Sequence, residues 1–150
     1  MRVFGLLGIL MFSAQVLSAE PSGDGEIRTR TMLQEDGTTQ VSRKSKTFLE
    51  LTIRNPDGTQ QKRTYWHLGP KGEFDTSEVY DRADKLVFTE KFFYLASQKV
   101  GEIKRFHPDG TLWIRTVFNY DESGQPMGMK VIDPSGREIP PDEWKKLDPK

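Results

Sequence analysis

The stretch His107-Pro108-Asp109-Gly110-Thr111-Leu112-Trp113-Ile114-Arg115-Thr116-Val117-Phe118-Asn119-Tyr120 decides the fold class. Its opening is turn chemistry. Pro presets φ for the second position of a type I turn, Asp accepts hydrogen bonds from the backbone ahead of it, and Gly takes the positive φ that closes a bulged hairpin. The remainder alternates with a period of two. Leu112, Ile114, Thr116, Phe118 and Tyr120 share one face, the expected core side, while Trp113, Arg115, Val117 and Asn119 fall on the other. A turn that feeds an alternating run of β-branched and aromatic residues is a strand leaving a hairpin.

Working outward, the same punctuation recurs along the chain. It is found at Glu35-Asp36-Gly37, Asn55-Pro56-Asp57-Gly58, Gly69-Pro70-Lys71-Gly72, Asp81-Arg82-Ala83-Asp84, Asp121-Glu122-Ser123-Gly124 and Asp133-Pro134-Ser135-Gly136. Between these turns lie runs suited to a pleated surface, such as residues 47–53 and 86–94. In residues 86–95 both faces are apolar, so that strand is expected to be central and covered on both sides. Short connections pair each strand antiparallel with the next. The expectation is an all-β antiparallel meander of about eight or nine strands, with open sheet and closed barrel both left standing.

Shifting the chain by 52 positions lays residues 50–87 on 102–139 without a gap. Ten of the thirty-eight pairs are identical, among them Glu50 with Glu102, Arg63 with Arg115 and the whole Pro-Asp-Gly-Thr turn. Average residue usage would give roughly two or three. The reading is an internal duplication of a three-strand unit.

Residues 105–113, followed by Tyr120-Asp121-Glu122-Ser123-Gly124 and Asp133-Pro134-Ser135-Gly136-Arg137, resemble the hairpin repeats of the MORN-variant and YD-repeat type found in bacterial exported proteins. The resemblance covers about residues 50–139 and rests largely on turn residues. It departs at Tyr80-Asp81, where Ala83-Asp84 follows and no glycine does. It implies a scaffold or binding surface and assigns no functional residue.

The two ends differ from the rest. Met1-Arg2, an apolar run over residues 3–14, and the small residues Ser18 and Ala19 before Glu20 form the three-part layout of a secretory signal. Residues 1–19 therefore read as a signal peptide cleaved after Ser18 or Ala19, residues 20–25 as a flexible lead-in, and residues 26–150 as one β-repeat domain that is exported to the periplasm or the medium. The run is too short, and lacks the basic flank, for a membrane span after cleavage. At the other end, residues 140–147 place acids before bases in helix-dipole order, and Trp144 and Leu147 at i and i+3 can pin one or two helical turns to the sheet.

The chain has 22 basic and 22 acidic residues and no cysteine. The zero balance argues against nucleic acid as a partner, since counterion release needs a concentrated basic stripe, and Arg43-Lys44-Ser45-Lys46 is a short one. Lack of cysteine excludes disulfides, thiolate metal sites and a cysteine nucleophile. His67 and His107 have no ligand-spaced companions, and the aspartates belong to turns, so neither metal nor cofactor is expected. No nucleophile elbow is present, and no catalytic residue is assigned.

The functional clue is the face away from the core. Trp113 and Arg115 share a side of their strand, and the repeat places Gln61 and Arg63 at the equivalent positions, followed by Tyr65. Aromatic and Arg side chains together favour binding. The expectation is an exported, non-catalytic β-repeat protein with a binding or structural role at the cell envelope, toward a protein or a saccharide, through Arg63, Tyr65, Trp113 and Arg115. Two alternatives stand beside it. One is a barrel holding a small apolar ligand among Phe88, Phe92, Leu112, Ile114 and Phe118. The other is an envelope-polymer hydrolase, which needs convergence among Glu50, Glu90, Glu102, His67 and His107.

Overall fold

The computed structural model describes residues 25–147. The expected signal peptide and residues 20–24 of the lead-in lie outside the described residues. Ten strands follow: β1 (Arg28–Leu33), β2 (Thr39–Lys44), β3 (Phe48–Arg54), β4 (Gln60–Leu68), β5 (Phe74–Tyr80), β6 (Leu86–Tyr94), β7 (Val100–Phe106), β8 (Leu112–Tyr120), β9 (Pro126–Ile132) and β10 (Glu138–Ile139). A 3-10 helix over Pro141–Leu147 ends the described chain.

The strands form one antiparallel sheet whose spatial order is their sequence order. β1 and β10 are its two edges and do not pair, so the sheet is open. Among the described residues there is no barrel interior for an apolar ligand, and Leu112 and Ile114, expected to line it together, are separated by a bulge.

Eight of the connections share one hydrogen-bond pattern. In the central one the His107 amide donates to the Thr111 carbonyl and the Gly110 amide to the His107 carbonyl. The aspartates act as expected: Asp109 Oδ1 accepts from both the amide and the hydroxyl of Thr111, as Asp57 does from Thr59. One hairpin has no sequence mark. Leu95-Ala96-Ser97-Gln98 closes the same way, with Gln98 at φ 63° where six of the other seven turns carry glycine and one carries Asp84. That unmarked turn is one reason the strand number is ten rather than eight or nine.

The 52-residue shift lays β3, β4 and β5 on β7, β8 and β9 strand for strand. The structural period is half as long. β3, β5, β7 and β9 begin at residues 48, 74, 100 and 126, and β4, β6 and β8 at 60, 86 and 112. Each unit of 26 is thus a seven-residue strand, a turn, a nine-residue strand and a turn. Bulges repeat with the same spacing, at 53/54, 79/80 and 105/106 and at 67/68, 93/94 and 119/120. So does a clamp in which the Tyr94 hydroxyl donates to the Phe74 carbonyl and the Tyr120 hydroxyl to the Val100 carbonyl.

A bulge strengthens local right-handed twist, and on one side of a strongly twisted sheet neighbouring rows close over one another. Among the described residues, all seven buried apolar ones lie on that side: Trp66, Val79, Phe88, Phe92, Ile114, Val131 and Ile139. We call it the inner face. Among the described residues only the 3-10 helix lies over it, and there Trp144 and Leu147 pack on Ile114, Val131 and Ile139 as their spacing predicts. β6 is central in strand order, yet its second face is not covered by another layer. Phe93 there lies beneath the ammonium groups of Lys91 and Lys104.

Candidate binding face

On the outer face, strand register sets a row running Arg43, Glu50, Tyr65, Glu78, Thr89 across β2 to β6. A parallel row runs Val41, Thr52, Arg63, Tyr80. Cross-strand neighbours in such rows are close enough for their side chains to interact, and here they form a connected surface. Phe48 stacks on Tyr65 with ring centroids 5.3 Å apart, and Tyr65 meets the His67 ring edge-on at 4.9 Å. His67 Nε2 lies 3.4 Å from Glu78, whose other oxygen accepts the Tyr80 hydroxyl.

Arg63 is the hub. Its guanidinium lies 4.0 Å over the Tyr80 ring, 2.9 Å from Asp84 and 3.7 Å from Glu50, which also accepts from Arg43. Burial alone would lower the Arg63 pKa, but the hydrogen bond and charge of Asp84, with Glu50, outweigh it and raise it. Asp84 is lowered in return by its bonds from Arg63 and Gln60. The Tyr80 hydroxyl is raised, first by its bond to Glu78 and then by burial. Thus Arg63 stays charged and Tyr80 stays protonated with its proton committed to Glu78, so the surface presents a fixed cation beside aromatic ring faces.

Of the four residues chosen from sequence, the structure brings Arg63 and Tyr65 into this cluster. Arg115 lies on the same face four strands further on, paired with Glu102 as Arg63 is with Glu50. Trp113 is elsewhere. It is the extra residue of the bulge at Arg105/Phe106, where Ile114 pairs with Arg105 and Leu112 with Phe106. Counting by twos fails across that bulge, and Trp113 turns to the inner face. There it stacks on His107 at 4.7 Å, meets Phe88 edge-on and lies under Arg105.

The five candidate catalytic groups do not converge. Glu50 and Glu102 share the outer face but stand on β3 and β7, about 19 Å apart at the usual strand spacing. His67 meets Glu78 and His107 meets Trp113. Glu90 faces inward, where it accepts two bonds from Arg105 at 3.0 and 3.1 Å and one from Ser77 at 3.0 Å. That trio was hidden from sequence reasoning, which set Glu90 only among the groups a hydrolase would need to bring together. Arg105 also donates to the Leu147 carbonyl at 3.2 Å and covers the Phe88 ring, so it holds the 3-10 helix in place. Among the described residues no group of three or more His, Asp or Glu is placed to hold a metal ion.

The fold and its surface define an open-sheet hairpin repeat with a charged and aromatic outer face. No protein-family model matches the chain, and no curated protein sequence matches it significantly.

Proposed function

We propose that this is an exported, non-catalytic β-repeat protein that acts by binding or structural association at the cell envelope, through the outer face of β3 to β5. The observation that carries the reading is the connected set Phe48, Tyr65, His67, Arg63 and Tyr80, held in register by the sheet and covered by no other described element. Such surfaces combine rigid ring faces with preset charged donors, the side chains most often used as binding anchors. The resemblance to MORN-variant and YD-type repeats, and the signal-like residues 1–19, support export and a scaffold role.

The test is co-sedimentation with isolated cell-envelope fractions of the chain expressed with its own N-terminus. The wild type should sediment, and its mature N-terminus should read Ala19 or Glu20. The Arg63→Ala/Tyr65→Ala double variant should remain in the supernatant with unchanged far-ultraviolet circular dichroism. Equal sedimentation of both proteins would refute the assignment of this face.

A further inference from the structure

The 26-residue period lets one cross-strand pair of the outer face be compared in three places. It is Tyr65 opposite Glu78, then Lys91 opposite Lys104, then Val117 opposite Lys130. The first sets a ring beside an acid, and the third sets a valine beside a lysine that pairs with Glu138. The scaffold is therefore built without a cation at one position in the third unit and without one at either in the first. In the middle unit two like charges stand directly opposite each other, an arrangement that costs stability in a sheet.

The protein does little to answer that charge. Arg115 on β8 follows Lys104 in the same row, so three cations stand side by side. Arg115 Nε bonds to Glu102. Among the described residues neither Lys91 nor Lys104 has a carboxylate within ion-pair distance. On the flanking strand β5, Glu78 is engaged by His67 and the Tyr80 hydroxyl. Both lysine ammonium groups lie instead over the Phe93 ring, 5.8 and 4.8 Å from its centroid. Lys91, Lys104 and Arg115 against Glu102 alone leave an excess of positive charge on this part of the face.

The chemistry of the excess selects a ligand group. Opposed strand residues have Cβ atoms about 4.5–5.5 Å apart, and each lysine carries three donors on a flexible stem. Two such side chains can close on one compact anion from both sides. A carboxylate brings a single negative charge, whereas a phosphate monoester brings about 1.5 to 2 at neutral pH and three acceptor oxygens. Lysine meets phosphate as a point charge and needs no fixed fork geometry. None of the exposed large apolar side chains lies in these rows, so nothing here would enter a bilayer, and the fitting source is a soluble ester.

We propose that Lys91 and Lys104, with Arg115 at the rim, form a site for the phosphate monoester of a soluble molecule such as a sugar phosphate, with the phosphate seated beside the Phe93 ring. The site lies on β6 to β8 and does not depend on Arg63 or Tyr65.

The test uses glucose 6-phosphate, its singly charged analogue glucose 6-sulfate, and glucose, read by amide chemical shifts in the full mature chain at about 50 mM salt, where surface charges are only partly screened. The phosphate should shift the amides of Lys91, Phe93, Lys104 and Arg115 saturably, with the sulfate at least about fivefold weaker and glucose silent. Lys91→Gln/Lys104→Gln should weaken binding by about tenfold or more while keeping a dispersed spectrum, and Lys91→Arg/Lys104→Arg should retain it. Lys104→Gln alone should weaken it by about threefold or more and serves if the double variant does not fold. Arg63→Ala/Tyr65→Ala should bind as the wild type does. No saturable shift at about 10 mM phosphate ester would overturn the proposal. So would equal affinity for phosphate and sulfate, full binding by the folded Gln variant, or loss of binding in Arg63→Ala/Tyr65→Ala. Binding to phosphatidylcholine vesicles with one-tenth phosphatidic acid, without binding to the free ester, would overturn it as well.

Discussion

Replacing Glu90 by Ala should destabilise the domain far more than its place on a strand suggests. Arg105 is 5% exposed, and Glu90 accepts two of its hydrogen bonds. Removing the acid leaves a buried guanidinium with only the Leu147 carbonyl and the ring faces of Phe88 and Trp113. Breaking a buried pair from one side costs about 3–5 kcal/mol. Because the Glu90 side chain keeps 16% exposure, some water can reach the freed charge, and we expect the low end, about 3 kcal/mol. At about 3 °C per kcal/mol for a domain of this size, the melting temperature falls by about 9 °C. The double variant Glu90→Leu/Arg105→Met removes both charges. It should recover to within about 1–2 kcal/mol of wild type, the remainder being the Ser77 hydroxyl without its acceptor and the lost tether to Leu147. Urea unfolding of the wild type, both single variants and the double variant gives the cycle. A loss under about 0.5 kcal/mol for Glu90→Ala, the level of an ordinary surface change, would refute the reasoning.

Two further outcomes test the turns. Gln98 holds φ 63° in a position where six of the other seven turns of the same build use glycine, so Gln98→Gly should stabilise by about 0.5–1 kcal/mol, while Gly110→Ala, at φ +85° with open space around it, should cost about 1 kcal/mol from backbone strain alone; chemical denaturation of each checks the two signs. The Asp133 carboxyl is held at about 2 by bonds from Ser135 and Arg137, below the usual 3.8, and because the folded value is the lower one, its contribution is present above pH about 4 and lost as pH falls through about 2. Asp57, Asp109 and Asp121 are lowered in the same direction by Thr59, Thr111 and Ser123, so the urea midpoint should decline over that interval, with a shallower slope in Asp133→Asn.

Hairpins were legible wherever glycine or aspartate marked the turn, because those residues supply a backbone state or a local bond that few others can. The Leu95-to-Gln98 hairpin was not, since its geometry is imposed by the flanking strands on a residue with no preference for it. Faces were legible by alternation only up to a bulge. An inserted residue carries no compositional signature, and so Trp113 was read onto the side of Arg115 when the extra residue at Arg105/Phe106 turns it inward. The repeat was seen at twice its true length because charge alternates between units. Position 50 reads Glu, Thr, Glu at 50, 76 and 102, and position 63 reads Arg, Thr, Arg at 63, 89 and 115. The Glu–Arg pairing therefore returns only on every second unit. Arg105 was opaque for another reason: an arginine among polar strand residues gives no hint that a partner on the neighbouring strand allows it to be buried.

Because strand order equals sequence order, every substantial strand contact is with the preceding or the following strand. Such an array grows or shrinks by whole hairpins with two junctions to repair, so excision of residues 69–94 should join β4 to β7 through a turn of the same build. The same arrangement has a mechanical side. Pulled from its ends, the sheet meets the load one ribbon at a time and gives way like a zip, with the latch of Arg105 on Leu147 guarding the far end of the fastening.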